Sequence, residues 1–385
     1  MNRVGQGLGA NVARGSRAGA LWARPAALGA LLGAIALGAC KDEPSAPEAA
    51  PEAPAEKKPA VDTKIASAMA AAEANARSEA RAGEGQLAPP PDGVLSADAA
   101  AKELRPGSPS QLVLGAEGSA PRVRLGAERL EPGLGPSGKL SLSYRSGGSV
   151  MPTIEIELKP KVAANTGAAP VSAPAEPAGV AAAGTLLRRF TLGAARPADD
   201  QPGRLPENAK AEIAKLNGST FERVELPSGA LLAQSQKLAG NNPDLEPLVT
   251  GSAEALSSVL LPYPEVPVGA GAFWMVKSRE TANGAAVLAY RMVKLVELGP
   301  AQAKLTVSTR RYLLDPVLAI AGLPPHHVRR FESEGDASLS VRPGALYPDS
   351  AEVRDSFMAL VTPDDRPNQA VPIQSELSAR VGFSR

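Results

Sequence analysis

The sequence predicts a mainly β (α+β) fold: an antiparallel curved sheet, arranged as a half-barrel or open sandwich with one packed helix, and preceded by a disordered tether. Three observations carry this expectation. From Gln111 onward, apolar residues recur at every second position in many short runs, the period of strands with one buried face. One stretch, residues 243–262, shifts to three- and four-residue steps, the period of a helix. Before Gln111 the chain is dominated by Pro, Ala, Gly and Glu, a composition that buries too little apolar surface to order itself.

The strands follow in order. In KLSLSY, Leu140, Leu142 and Tyr144 share a face, and after the turn SGGS so do Ile154, Ile156 and Leu158 in TIEIEL; this is a hairpin pattern. Residues 186–192 and 221–226 read as further strands, the second turning at Pro227-Ser228-Gly229. Between the two hairpin halves and these strands, residues 161–184 (KVAANTGAAPVSAPAEPAGVAAAG) are low in complexity and read as a loop insertion. In the helical stretch, Leu245, Leu248, Val249, Leu256, Val259 and Leu260 form an apolar stripe that Pro262 ends. Residues 272–277, 287–297, 303–312, 338–341, 353–361 and 371–383 complete the run. In the last, Val371, Ile373, Leu377, Ala379, Val381 and Phe383 face together. No βαβ alternation occurs, so the sheet is expected to be antiparallel, with one buried and one solvated face.

The N-terminal part reads as a series of segments: 1–39 signal peptide, 40–60 tether, 61–84 Ala-rich helix, 85–110 linker, then the β-rich part at 111–385. Arg3, Arg14, Arg17 and Arg24 precede PAALGALLGAIALGA at 25–39, and no acidic residue occurs before Asp42. That is the layout of a secretory signal; the apolar run is shorter than the ~20 residues of a membrane-spanning helix. Residues 43–60 repeat Pro-Ala-Glu units, which favour extended chain. Some 20 such residues reach roughly 60 Å at ~3.1 Å each. In residues 62–82, Asp62 is a plausible N-cap, Gly83 a stop, and Glu73 and Arg77 an i,i+4 pair. The thin stripe Ile65, Met69, Ala72 and Ala76 suits either a weak coiled coil or a solvated helix.

Cys40 is the only cysteine, so an intramolecular disulfide is impossible. It closes the sequence Leu37-Gly38-Ala39-Cys40, which resembles the lipobox of bacterial prolipoproteins, with Gly38 a tolerated variant. The resemblance implies diacylglyceryl transfer to the Cys40 thiol, cleavage after Ala39, acylation of the new amino terminus and attachment to a membrane. In that family an Asp after the cysteine often signals inner-membrane retention. Here Lys41 stands there, with Asp42 one further on, which favours the outer membrane of the envelope.

Composition and motifs also exclude classes. With 41 Lys+Arg against 40 Asp+Glu, the chain has no charge surplus suited to nucleic acid. His326 and His327 are adjacent, and adjacent residues of an extended chain point to opposite faces, so no metal site is assigned. There is no G-x-S-x-G elbow, no S-x-x-K, and no complete G-x-x-x-x-G-K-[ST] phosphate loop. The acid pairs Asp199-Asp200 and Asp364-Asp365 lie in Pro-rich turns where Asp favours the turn itself. No catalytic residue and no cofactor are assigned, and no enzyme activity is expected; a hydrolase would require His326 or His327 beside a serine and an acid.

The remaining feature is LLPYPEVPVGAGAFW at 260–274. It is either a Pro-stiffened helix-to-strand connection whose aromatics plug a core end, or the mouth of an apolar pocket lined by Tyr263, Phe273 and Trp274. It resembles a P-x-x-P-V-G-x-G-x-x-W stretch of uncharacterised bacterial envelope lipoproteins, followed there too by strands like AYRMVKLVEL at 289–298. That resemblance brings no chemistry with it. A looser likeness, of shape alone, is to the lipoprotein-carrier half-barrels, in which a curved sheet closes around an acyl chain. The expected function is a membrane-anchored, non-enzymatic envelope lipoprotein that binds an apolar ligand or acyl chain. The alternative is a structural or assembly lipoprotein working through contacts with an envelope protein partner.

Overall fold

Period-two patterning becomes strand over most of the region that the computed structural model describes. That region is residues 90–384, apart from 127–128, 147–148, 166–183, 199–206, 319–325 and 364–368. Cys40 with Leu37, Gly38 and Ala39, the tether and the Ala-rich segment all lie outside the described residues, as do both acid pairs.

Twelve strands form the main path: β1 (Gln111–Ala116), β2 (Gly138–Ser146), β3 (Ile154–Ala164), β4 (Leu186–Pro197), β5 (Thr220–Glu225), β6 (Leu231–Lys237), β7 (Phe273–Ala282), β8 (Ala285–Leu298), β9 (Ala303–Leu313), β10 (His326–Val341), β11 (Ser350–Pro363) and β12 (Val371–Phe383). They make one antiparallel sheet in the order β1-β7-β8-β9-β10-β11-β12-β2-β3-β4-β5-β6, with shorter strands at its margins. Two meanders, β2–β6 and β7–β12, are thus joined side by side where β12 pairs with β2, Val381 opposite Leu140 and Ala379 opposite Leu142. Among the described residues the sheet does not close into a barrel. Its margins nevertheless approach each other. Ser110 N donates to Leu231 O at 2.6 Å, Leu231 N to Ser110 Oγ at 2.9 Å, and Gln234 Nε2 on β6 to Thr281 O on β7 at 3.0 Å. Isolated bonds stand where a ladder would be.

Between β6, at one margin, and β7, near the other, the chain crosses the inner face. Helix α3 (Glu246–Val259) lies in that crossing, entered through a 3-10 turn at Pro243–Leu245. Eleven of its fourteen residues are buried, and it touches β2, β5, β6, β10, β11 and β12. Gly251 sets the closest approach: a Cβ there would meet Leu377 Cδ1 at 3.1 Å and Leu142 Cδ2 at 3.5 Å. The apolar stripe read from the sequence packs with Leu140, Leu142, Ile154, Ile156 and Leu377 in the main core. A second apolar cluster, around Val287, Leu313, Phe331 and Phe357, fills the opposite end.

Three local details differ from the sequence reading. Residues 90–110, read as linker, carry α1 (Ala97–Glu103), capped by Ser96 Oγ accepting from Ala99 N at 3.2 Å. Leu95, Ala100 and Leu104 pack there on Leu288, and Lys277 Nζ meets Glu103 Oε2 at 2.7 Å. Seven residues between Pro and Gly are too few to show helical periodicity. A second short helix, α2 (Glu207–Ala214), packs on β4 through Ile213. Finally, Lys161–Ala164, placed in the low-complexity insertion, finish β3 and pair with Leu186–Arg189 of β4.

Candidate functional site

The inner face is not uniformly apolar. A belt of polar side chains crosses it between the two apolar clusters, at positions that the strand period places inside. Ser278 and Glu280 come from β7, Arg291 from β8, Thr309 and Arg311 from β9, Ser333 from β10, Asp355 from β11 and Ser375 from β12, all of them buried. Arg188 on β4 with Arg223 and Glu225 on β5 add buried charges from the other meander.

Ion pairs knit the belt. Arg291 Nη2 lies 2.7 and 2.8 Å from the two Glu280 oxygens, and its Nη1 donates to Ser278 Oγ at 2.9 Å. Arg311 donates to Glu280 Oε1 at 3.3 Å and to Asp355 Oδ1 and Oδ2 at 3.1 and 3.3 Å. Glu225 faces two arginines: it accepts a hydrogen bond from Arg223 Nε at 2.6 Å and lies 2.8 Å from Arg188 Nε as an ion pair without hydrogen-bond geometry. Arg223 Nη2 also donates to Leu260 O at 3.1 Å, a cation on a carbonyl at the helix C-terminus, where the dipole favours it. Buried charges persist only when paired in this way.

From the helix side, a polar stripe answers the belt. Gln236 Nε2 donates to Thr250 Oγ1 at 2.6 Å, Ser257 Oγ bonds Gln234 Oε1 at 3.2 Å, and Ser258 Oγ donates to Asp355 Oδ2 at 3.2 Å. Glu254, between them, accepts the backbone N–H of Asn283. The polar side of the amphipathic helix is therefore buried too.

The charges titrate unevenly. Burial would raise the Glu280 carboxyl, but Arg291 and Arg311 override it and leave it below the usual range. Burial pushes Glu254 up to about 7; Arg311 and the Asn283 N–H oppose the rise, while Asp355 and Glu280 add to it. Arg223 is lowered by burial and by Arg188 and Arg291 against the attraction of Glu225. Among the described residues no group of three His, Cys, Asp or Glu side chains is placed to hold a metal ion.

The three predicted pocket aromatics do not form one wall. Trp274 is fully buried, and Tyr263 packs on it edge to face, ring centres 6.4 Å apart. Phe273, next along β7, faces the other way and lies over Gly115 of β1, where a Cβ would sit 2.0 Å from its ring. The glycines of the same stretch are structural. A Cβ on Gly269 would stand 1.6 Å from Ser119 O, and Gly271 has φ +83°. Tyr263 OH and Trp274 Nε1 have no hydrogen-bond partner inside the core. His326 is buried and His327 exposed at the start of β10, on opposite faces as their adjacency predicts.

The concavity open to solvent lies on the other side of the sheet. It is a groove of about 1490 Å³ across the outward faces of β9–β12 and β2–β4. Ser338, Ser340, Ser350, Ser378, Ser141 and Gly382 line it, and small side chains there leave room above the strands. Lys139, Lys304, Arg354 and Arg380 are interspersed with Glu155, Glu157 and Glu352. The Arg380–Glu352 and Arg196–Glu155 ion pairs along it are exposed and so contribute little to stability.

Sequence reading placed most of the strands that carry the belt, although its runs 272–277 and 338–341 stop short of Ser278, Glu280 and Ser333, and it missed the belt itself. The signal was present: in AKLTVSTRRYL of β9, Thr309 and Arg311 occupy the same phase as Ala303, Leu305, Val307 and Leu313. No protein-family model matches the chain, and no curated protein matches its sequence.

Proposed function

We propose that this protein is a lipid-anchored, non-enzymatic envelope protein that binds a partner through the outward face of its sheet. The observation that carries the reading is the contrast between the two faces. The inner face is occupied by α3, with Trp274 and Tyr263 packed into its core. The outer face offers an open, hydroxyl-lined groove. A long Pro-rich tether after Cys40 suits such a role, because it lets an anchored domain present one face at a distance from the membrane. Mixed charges and small hydroxyls are unlike the mainly apolar lining of a small-molecule pocket.

A photo-crosslinking residue at Ser378, in the groove, tests the reading in the native envelope, with one at Val113 on β1 as control. A discrete protein adduct from position 378 and none from 113 is expected. Equal labelling at both, or none at 378, would refute it. The apolar-ligand reading keeps one specific support, the unpartnered Tyr263 and Trp274 donors. A lipid found by native mass spectrometry in the purified protein, and lost in a Trp274→Phe variant, would favour it instead.

A further inference from the structure

The belt balances in total and not locally. Arg188, Arg223, Arg291 and Arg311 face Glu225, Glu254, Glu280 and Asp355. At one end Glu225 alone serves two arginines. At the other, Glu254, Glu280 and Asp355 share Arg291 and Arg311. The arginine groups at that end are engaged elsewhere: Arg291 Nη1 and Nη2 hold Ser278 and Glu280, with its Nε unpartnered, and Arg311 holds Glu280, Asp355 and Ser258. Glu254 is thus a surplus carboxylate, 4% exposed in the middle of α3.

What Glu254 does contact is neutral. Asn283 N belongs to the two-residue turn between Ala282 and Ala285, with φ of 48° at Asn283 and 75° at Gly284, the geometry of a tight hairpin turn. Asn283 Oδ1 in turn accepts from Ser375 Oγ on β12 at 3.2 Å. The charged and titratable groups around Glu254 are Arg311 from β9, Asp355 from β11, Glu280 from β7 and Tyr144 from β2. From β6 and β10 the belt adds Gln234 and Ser333, and Arg291 of β8 stands behind Glu280. A buried carboxyl with a neutral donor, two acidic neighbours and one shared arginine is favoured in its protonated form.

We propose that α3 is held in the sheet by a proton on Glu254. The neutral carboxyl docks the helix against the β7–β8 turn. Its ionisation places a third carboxylate beside two arginines in a site closed to water. The Asn283 N–H bond favours the charge, but lost solvation and repulsion from Asp355 and Glu280 outweigh it and loosen α3 from the sheet, so that access to the inner face depends on pH. The sign follows from linkage. Folded Glu254 binds its proton more tightly than the unfolded chain does, so its contribution is complete below the ordinary carboxylate range. It is lost as pH rises from there through about 7.

The test is urea unfolding of the full chain at a series of pH values, with hydrogen exchange of the α3 and Asn283 amides corrected for intrinsic rate. Wild type is expected to lose about tenfold in its folding equilibrium constant between pH 6 and 8 relative to Glu254→Gln, whose neutral amide cannot ionise. The α3 amides should open more over the same range in wild type only. Parallel pH profiles for the two proteins would overturn the proposal. If Glu254→Gln does not fold, ¹³C NMR of labelled Glu in wild type decides it: no carboxyl titrating between pH 6 and 8 refutes the latch.

Discussion

Gly335→Ala tests whether a missing side chain holds the belt together. Gly335 faces inward on β10, between Thr309 of β9 and Asp355 of β11. The Asp355 carboxylate leans over it to reach Arg311, one strand further on, at 3.1 and 3.3 Å. A Cβ on residue 335 would lie 1.6 Å from Asp355 Oδ1 and 2.8 Å from its Cγ. Real contacts of that kind start near 3.0 Å, so the carboxylate must retreat by about 1.4 Å or more, the difference between the two figures. That takes it out of hydrogen-bond reach of Arg311 and of Ser258. Breaking one side of a buried ion pair costs about 3–5 kcal/mol. Arg311 keeps Glu280, so the expected loss is near the lower end, about 3 kcal/mol. Gly→Ala in a strand should otherwise be favourable by about 0.5–1 kcal/mol, so the two expectations differ in sign. Urea unfolding at fixed pH, followed by the fluorescence of buried Trp274, measures the loss. A double-mutant cycle separates clash from backbone: in an Asp355→Ala background, Gly335→Ala should cost less than about 1 kcal/mol, because the clashing atoms are gone. Stability of Gly335→Ala within 1 kcal/mol of wild type, or additivity in the cycle, would refute the reasoning.

Other consequences are as direct. Gly251→Leu should overpack the helix against Leu377 and Leu142 and cost about 1–3 kcal/mol, with faster exchange of the α3 amides; unchanged stability would mean α3 does not press on the sheet there. Trp274→Ala should cost about 3–5 kcal/mol in the same assay. Trp274→Phe should lose under about 1.5 kcal/mol, because Nε1 has no acceptor to forfeit. For the anchor, Cys40→Ala should abolish metabolic acyl labelling and release the protein from membranes; label retained by the variant would exclude lipidation at that residue.

Most strands were legible because their inner faces are crowded with Leu, Ile, Val and Ala at two-residue spacing, as β12 shows; Leu231–Lys237 and the first part of β10, residues 326–337, are rich in polar residues and were not read as strand. The central helix was legible for the same reason at its own period. Three things were not. Residues 97–103 form a helix because Ser96 caps it and Leu288 receives it, and the second half of that cause lies far away in the chain. The burial of the helix's polar side was hidden because Thr250, Glu254, Ser257 and Ser258 look like a solvated face until the belt opposite them is known. The outer groove depends on register: Ser340, Ser350 and Gly382 come into line only when β10, β11 and β12 are paired. Spacing along one strand carries no information about alignment across three.

The joint between the two meanders has a consequence for how the chain acquires its fold. β2 is made early and pairs on one side with β3, its neighbour in sequence, but on the other with β12, the last strand of all. Every other junction inside a meander can form between successive segments. This one must wait until nearly the whole sequence is present, and contacts of such long sequence separation slow folding. Until Val371–Phe383 arrives, β2 and β11 are both raw edges, each able to template a foreign strand. The strand Val371–Phe383 is the keystone of assembly: without it the two half-sheets would be fastened only by α3 and by the few bonds between their outer margins.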